Sequence, residues 1–185
     1  MIVSPRKVVI NYLEGNRGFY KSPGQMAFYA AFVIGLQFAF FGMTLLGLQV
    51  GFTNNLLPPQ LMLLVVLIPF YTVISKLTFW NNGRSIMEHG ISMIYIFSTW
   101  LVIFVILENL LEWITQEDFK LSVFGSFLGI LFLWNSRIQL SEASRKKLLG
   151  YTLLQLLITA AFVGLLIFVI VYWFPERITR TPTTN

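Results

Sequence analysis

The sequence predicts an all-helical membrane protein, a bundle of transmembrane helices with little chain outside the lipid. Of its 185 residues, 56% are hydrophobic and 11% are charged, whereas soluble domains carry about 25% charged residues. Its mean hydropathy is +0.73. Five apolar runs occupy most of the chain, and a helix needs about 20 apolar residues to cross a bilayer. The runs are residues 26–52, 61–79, 91–114, 121–134 and 149–174.

The same composition excludes several classes of function. The chain has no cysteine, so disulfides and thiolate metal sites are excluded. It holds one histidine and no motif of a phosphate-binding loop, zinc protease or serine hydrolase. We therefore expect no enzyme activity, no metal and no cofactor. The net charge of +5 fits anionic lipid headgroups better than nucleic acid, because the basic residues lie beside the apolar runs.

The N-terminal residues 1–24 predict a short amphipathic helix on the cytoplasmic membrane surface. Ser4 can cap this helix, Pro5 suits its first position and Gly15 can end it. A helical period places Val8, Val9, Tyr12 and Leu13 on one face. The segment is an orientation anchor or, alternatively, a docking helix for a cytoplasmic partner. The basic residues expected at the membrane surface are Arg6, Lys7, Arg145, Lys146 and Lys147.

The first run carries a row of small residues at every fourth position. Such a row lets another helix approach closely, which matters in lipid because no hydrophobic force brings helices together there. The neighbouring helix belongs either to this chain or to a second protein. The helix-packing residues predicted in this way are Ala27, Ala31, Gly35, Ala39 and Gly47 in the first run and Gly125 and Gly129 in the fourth.

Three glutamines interrupt the apolar runs: Gln37 and Gln49 in the first and Gln155 in the fifth. Polar groups at membrane depth are expensive, and they often mark function. These amides either form hydrogen bonds between helices or line a transport path.

Glu108 and Glu112 lie one turn apart in the third run. Two such carboxylates can bind a cation or transfer a proton, or they can form an acidic cap at the membrane surface. No basic residue lies at the same depth in another run. We therefore expect Glu108 to be protonated, or to reach the outer interface and bond a neighbour such as Gln49.

The fourth run is the weak point of a five-span topology. Its 14 residues (121–134) make roughly 21 Å of helix at 1.5 Å per residue, against a hydrocarbon core of about 30 Å. Extension of the helix at both ends gives five spans, and a re-entrant segment gives four.

The loop 80–90 lies between the second and third runs and contains His89, which we expect to be a solvated loop residue.

Charge predicts the orientation. Ten of the 13 lysines and arginines fall before the first run, at or beyond the end of the second, or after the fourth. The positive-inside rule then puts the N-terminus in the cytoplasm and the flexible tail 175–185 outside, with residues 25–174 as the transmembrane domain. A bacterial inner membrane is the expected location.

The function expected from this pattern is contact with other proteins inside the bilayer. The chain would be an accessory subunit of a membrane complex, a membrane sensor in a defence system or an immunity-type protein. Its partners would be the lipid bilayer and either a membrane protein or further copies of itself. The alternative is a small oligomeric ion channel or carrier, lined by Glu108, Gln37 and Gln155.

Overall fold

The computed structural model describes residues 5–16, 18, 20–41, 44–45, 48–49, 59–115, 120–140 and 144–173. They form a bundle of helices, so the all-helical part of the predicted fold class is confirmed. Its helices are α1 (Pro5–Leu13), α2 (Pro23–Phe41), α3 (Pro59–Thr78), α4 (Ile86–Thr115), α5 (Lys120–Gln139) and α6 (Arg145–Trp173). Between α2 and α3, the two-residue strands Thr44–Leu45 and Leu48–Gln49 pair antiparallel.

Helix α1 has the bounds that the sequence predicts. It begins at Pro5, and Gly15 follows it with a φ of 100°, a left-handed conformation that glycine adopts without strain. Its apolar face packs against α4 and α5. Val9 is fully buried, and the ring of Tyr12 meets that of Tyr95 edge-on at 5.7 Å. The apolar face of α1 is therefore covered by the bundle.

Helices α2 and α4 are parallel neighbours and share the most extensive helix contact. Ser22 and Gln25 form a reciprocal capping box at the start of α2. The hydroxyl of Tyr95 in α4 donates to the carbonyl of Lys21 just before α2. Later turns of both helices share one groove, so both run from the same end of the bundle.

Aromatic side chains form the middle of the core. The ring of Phe127 in α5 packs edge-on against Phe97 and Phe104 of α4, each at 5.4 Å. Tyr71 of α3 meets Phe132 of α5 at 5.4 Å in the same geometry. Each such pair adds about 0.5–1.5 kcal/mol to the apolar burial of the rings. These contacts join α3, α4 and α5 into one packed layer.

The connection from α3 to α4 corrects one expectation from the sequence. A 3-10 turn at Trp80–Asn82 ends at Gly83, and α4 begins at Ile86. The hydroxyl of Ser85 accepts from the backbone N–H of Glu88 at 3.3 Å, and the Glu88 carboxylate accepts from the N–H of Ser85 at 2.6 Å. His89 is fully buried in the second turn of α4. Its prediction as a solvated loop residue is therefore wrong.

Among the described residues, two helices are long and apolar enough to cross a membrane. These stretches are Ile86–Leu111 of α4 and Arg145–Leu166 of α6, and α3 contains the shorter apolar segment Val66–Thr78. Length and composition are weak evidence, because the core helix of a soluble protein meets the same criteria. The five-span bundle is therefore not confirmed. The short fourth run does form part of one continuous helix of 20 residues, α5.

Candidate functional site

Two features of the described bundle place polar groups where apolar side chains are expected. The first is a group of buried side chains from α3, α4, α5 and α6, which we name the polar cluster. The second is a groove between α2 and α4. The polar cluster consists of Ser75, His89, Asn135, Ser136, Gln139, Thr152 and Gln155.

Asn135 is the centre of the polar cluster. Its amide nitrogen Nδ2 donates to Oγ of Ser75 at 2.9 Å and to Oε1 of Gln155 at 2.6 Å. All three residues are fully buried. One carboxamide on α5 therefore connects α3 on one side with α6 on the other.

Gln155 uses its own amide nitrogen to strengthen the contact between α5 and α6. Nε2 donates to Oγ of Ser136 at 2.7 Å and to the carbonyl of Phe132 at 3.2 Å. The hydroxyl of Thr152, one turn earlier on α6, lies 3.3 Å from Oγ of Ser136. Gln155 is thus a hydrogen-bonding residue between helices in this structure.

Ser75 and His89 form a hydroxyl–imidazole pair, with Oγ 2.8 Å from Nδ1. A serine nucleophile is activated by such a pair when a third group orients the second ring nitrogen of the histidine. In this structure Nε2 of His89 is buried without a partner, and the ring stacks on Phe79. No group of three metal-binding side chains occurs among the described residues either. The pair therefore serves to join α3 to α4.

Hydrogen bonds connect the polar cluster to one end of the bundle. Nε2 of Gln139 lies 3.5 Å from Oδ1 of Asn135, and Oε1 of Gln139 accepts from the Arg84 guanidinium at 3.0 Å. Asn82 donates to the backbone carbonyl of Gln139 at 2.9 Å. The half-buried Arg84 is thus linked through two amide side chains to the centre of the bundle.

The groove between α2 and α4 has a volume of about 670 Å³, within the range of about 300–1,000 Å³ that ligand pockets occupy. Its walls are mostly apolar. On α4 the lining residues recur at helical spacing, so the groove follows the helix axis for about two turns. The lining residues are Val33, Leu36, Gln37, Val105, Ile106, Asn109, Leu110 and Trp113.

Gln37 is the unusual member of this lining. Its side chain is 4% exposed, and both amide atoms are buried without a hydrogen-bond partner. An unsatisfied buried polar group costs about 1–3 kcal/mol. Asn109, also in the lining, donates to the carbonyl of Val105 in its own helix at 2.7 Å. The groove therefore holds an amide whose donors and acceptor are unused.

The predicted helix-packing residues of α2 lie away from this groove. Gly35 and Gln37 are two residues apart, so they face nearly opposite sides of the helix. Ala27, Ala31 and Gly35 are half-buried and Ala39 is exposed. A Cβ atom added at Gly35, Gly125 or Gly129 would meet no atom within 4 Å, so this chain leaves space in front of all three. Gly47 lies outside the described residues.

The predicted polar residues are not brought together. Gln37 lines the groove between α2 and α4, whereas Gln155 is bonded between α5 and α6. The side chains of Glu108, Glu112 and Gln49 lie outside the described part of the structure.

The predicted basic residues lie in two places. Arg145, Lys146 and Lys147 are exposed in the first turn of α6, where Ser144 caps the helix through the N–H of Lys147. Arg6 is half-buried in α1, next to the exposed Lys7.

Sequence reasoning missed most of the polar cluster, although part of its signal is visible. Thr152, Gln155 and Thr159 are spaced as i, i+3 and i+7, which puts them on one face of α6. The structure buries all three. Ser75 and Asn135 carry no such signal, because the two residues are separated by 60 positions in the sequence and meet only in the folded structure.

Comparison with known proteins returns no relatives: the chain matches no family model, no curated protein and no solved structure.

Proposed function

We propose that the chain is an integral membrane protein that works by binding a helix of another membrane protein in the groove between α2 and α4. The observation that carries the proposal is the unpartnered, buried amide of Gln37 in an otherwise apolar groove. A membrane location and a helical occupant each have their own support.

The exposure of α6 supports the membrane location. Within its stretch Arg145–Leu166, only 17% of an apolar window of 18 residues is buried, compared with 50% of such a window in α4. A soluble protein buries its apolar helices, because large exposed apolar patches promote aggregation in water. Lipid is the solvent in which such a helix is stable. Large side chains exposed on α6 include Leu149, Leu153, Leu157, Leu165, Leu166 and Phe168.

The full topology that we propose has five spans, α2 to α6, with the N-terminus in the cytoplasm. Helix α5 supports it, because 20 residues make about 30 Å of helix, the thickness of the hydrocarbon core. The basic first turn of α6 then lies at the cytoplasmic surface, as the positive-inside rule requires. A bacterial inner membrane fits this arrangement.

The shape of the groove favours a helix as its occupant. Val105, Asn109 and Trp113 are spaced by four residues along one side of α4, and α2 forms the parallel opposite wall. Two parallel helices leave a furrow into which the side-chain ridge of a third helix fits.

The chemistry of Gln37 specifies a property of the occupant. An amide at membrane depth is satisfied by a polar side chain on the neighbouring helix, a contact that contributes about 0.6 and up to about 2 kcal/mol. Because Gln37 is recessed, two copies of it cannot meet across an interface of identical chains. The occupant therefore carries a projecting hydrogen-bonding side chain of its own. An accessory subunit, a sensor or an immunity-type protein would use such a contact.

Site-specific photocrosslinking in membranes tests the proposal. A photoreactive residue replaces Leu36 or Leu110 in the groove, or Leu157 on the exposed face of α6 as the matched control. We expect one discrete adduct from the groove positions, reduced severalfold by Gln37→Leu, and no such adduct from position 157. Purified Gln37→Leu should be at least as stable as the wild type, since the buried amide is gone.

Two results would contradict the proposal. Equal adducts from the groove and from position 157 would mean random collisions in the bilayer. Loss of the adduct in Gly35→Leu but not in Gln37→Leu would show that the partner binds at the small residues of α2 and not in the groove. Differently tagged copies show in the same experiment whether the adduct joins two identical chains, which would also contradict it.

A further inference from the structure

Two cationic side chains lie at the connection between α3 and α4, and the charge of a third, in α1, acts on one of them. Arg6 lies in the first turn of α1, Lys76 in the last turn of α3 and Arg84 just before α4. The ammonium of Lys76 donates to the backbone carbonyl of Arg84 at 2.6 Å. All three side chains are half-buried, unlike the exposed basic residues at the start of α6.

The guanidiniums of Arg6 and Arg84 both lie in unfavourable surroundings. Nε of Arg6 is buried and has no hydrogen-bond partner. Burial lowers the pKa of Arg84, the carboxylate of Glu88 opposes that shift, and the positive charge of Arg6 adds to it. Two like charges are thus held near each other with reduced hydration, which is unfavourable without a counter-charge.

The carboxylate of Glu88, which acts on Arg84, is already in use. Oε2 of Glu88 accepts from the N–H of Ser85 at 2.6 Å and from its hydroxyl at 3.0 Å, as part of the cap of α4. Arg84 therefore shares this carboxylate with the cap of α4, which takes its hydrogen bonds. An anion from outside the chain would correct this imbalance.

The surroundings match the surface of a membrane. Lys76 lies 5.6 Å from the centre of the Trp80 ring, and Trp80 is 67% exposed. Tryptophan is enriched at the level of lipid headgroups. Only one nitrogen of the Arg84 guanidinium bonds Gln139, which leaves further N–H donors for a ligand.

We propose that Arg6, Lys76 and Arg84 form a binding site for a phosphate group. Guanidiniums bind phosphate oxygens in pairs through parallel N–H donors, and a lysine adds a point charge. The phosphate belongs to an anionic phospholipid or is free in the cytoplasm. The site is independent of the groove between α2 and α4, so it stands whether or not that groove binds a helix.

Thermal unfolding of the full chain in a mild, uncharged detergent tests the site. The probes are phosphatidylglycerol, zwitterionic phosphatidylcholine, and inorganic phosphate compared with chloride at equal ionic strength. We expect phosphatidylglycerol or inorganic phosphate to raise the melting temperature in a saturable manner. Arg84→Gln should weaken this binding about tenfold, as the loss of a charge-assisted hydrogen bond predicts.

Two further variants keep the test interpretable. Arg6→Gln removes a cation that makes no hydrogen bond through Nε, so the fold should survive even if Arg84→Gln unfolds, and binding should weaken similarly. Arg145→Gln removes an exposed cation elsewhere and should bind like the wild type.

A response to inorganic phosphate identifies a free phosphate as the ligand, and a response to phosphatidylglycerol without one identifies a lipid headgroup. Either result supports the site. Equal weakening by Arg145→Gln would mean attraction to overall charge, and absence of any saturable response would mean that no site exists. Both of these results would overturn the proposal.

Discussion

The amide nitrogen of Asn135 lies 2.6 Å from Oε1 of Gln155, and this bond joins α5 to α6 in the interior of the bundle. The same nitrogen donates to Ser75 in α3. Buried polar groups that are fully hydrogen-bonded specify one arrangement of a core, so bonds of this kind determine which helix faces contact each other. The polar cluster therefore fixes the rotation of α6 about its axis. The apolar outer surface of α6 carries no group that would select one rotation.

Replacement of Asn135 should destabilise the protein. Asn135→Leu leaves Oε1 of Gln155 without its amide donor, and we expect a loss of about 1–3 kcal/mol in the free energy of unfolding. Equilibrium unfolding in detergent measures it. The matched control is Thr99→Val, because within the described residues the Thr99 hydroxyl bonds only the Tyr95 carbonyl of its own helix. That change should cost less than 1 kcal/mol.

Asn135 and Gln155 should also be energetically coupled. Because both ends of one bond are lost together, the double variant Asn135→Leu/Gln155→Leu should cost about 1 kcal/mol less than the sum of the single variants. Simple additivity in this double-mutant cycle would show that the bond contributes nothing specific.

His89 should be protected from reagents in the folded protein. The ring is fully buried, and it is the single histidine of the chain, so any imidazole modification reports on it alone. We expect diethylpyrocarbonate to modify His89 slowly in detergent-solubilised protein and rapidly after denaturation, as followed by mass spectrometry. Equal rates in the two states would place the ring in solvent.

Glycines at two positions should respond differently to a large side chain. A Cβ atom on Gly90 would lie 3.7 Å from Cγ2 of Thr72, whereas one on Gly129 would meet nothing within 4 Å. Gly90→Ala should therefore be tolerated, and Gly90→Leu should push α4 from α3 at a cost of about 1–3 kcal/mol. Gly129→Leu should leave the stability of the isolated chain nearly unchanged. Thermal unfolding of the three variants provides the comparison.

The bond from Tyr95 to Lys21 should hold the start of α2 in place. Tyr95→Phe removes the donor to the Lys21 carbonyl while keeping the ring contact with Tyr12. We expect a loss of about 1 kcal/mol and faster proteolysis between α1 and α2. Tyr29→Phe, at a side chain that is 45% exposed, is the control. If both variants are cleaved at the wild-type rate, the Tyr95 bond does not anchor this segment.

Local signals explain what could be predicted from the sequence. Pro5 and Gly15 bound α1 because their effects on the backbone do not depend on distant residues. The start of α4 was open to the same reasoning: Ser85 and Glu88 have the spacing of a capping box. If this capping box is overlooked, the sequence places His89 in a loop, although the residue lies one turn inside the helix.

The polar cluster and the groove depend on contacts that no local pattern specifies. Ser75 meets Asn135 only because α3 and α5 are rotated and shifted to one particular alignment. Gln37 and Gln155 look alike in sequence, each a glutamine within an apolar run. One is unpartnered in a groove and the other is bonded between helices, and this difference arises only from packing.

The position of Asn135 also has a consequence for biosynthesis. One of its partners, Ser75, precedes it by 60 residues, and the other, Gln155, follows it by 20. While the chain is being translated, α3, α4 and α5 leave the ribosome before α6 exists. In the interior of the nascent bundle, the amide of Asn135 and the hydroxyl of Ser136 then lack their partner Gln155. Completion of the fold is thus tied to the synthesis of α6, and an arrested chain lacking α6 keeps polar groups whose partner is missing.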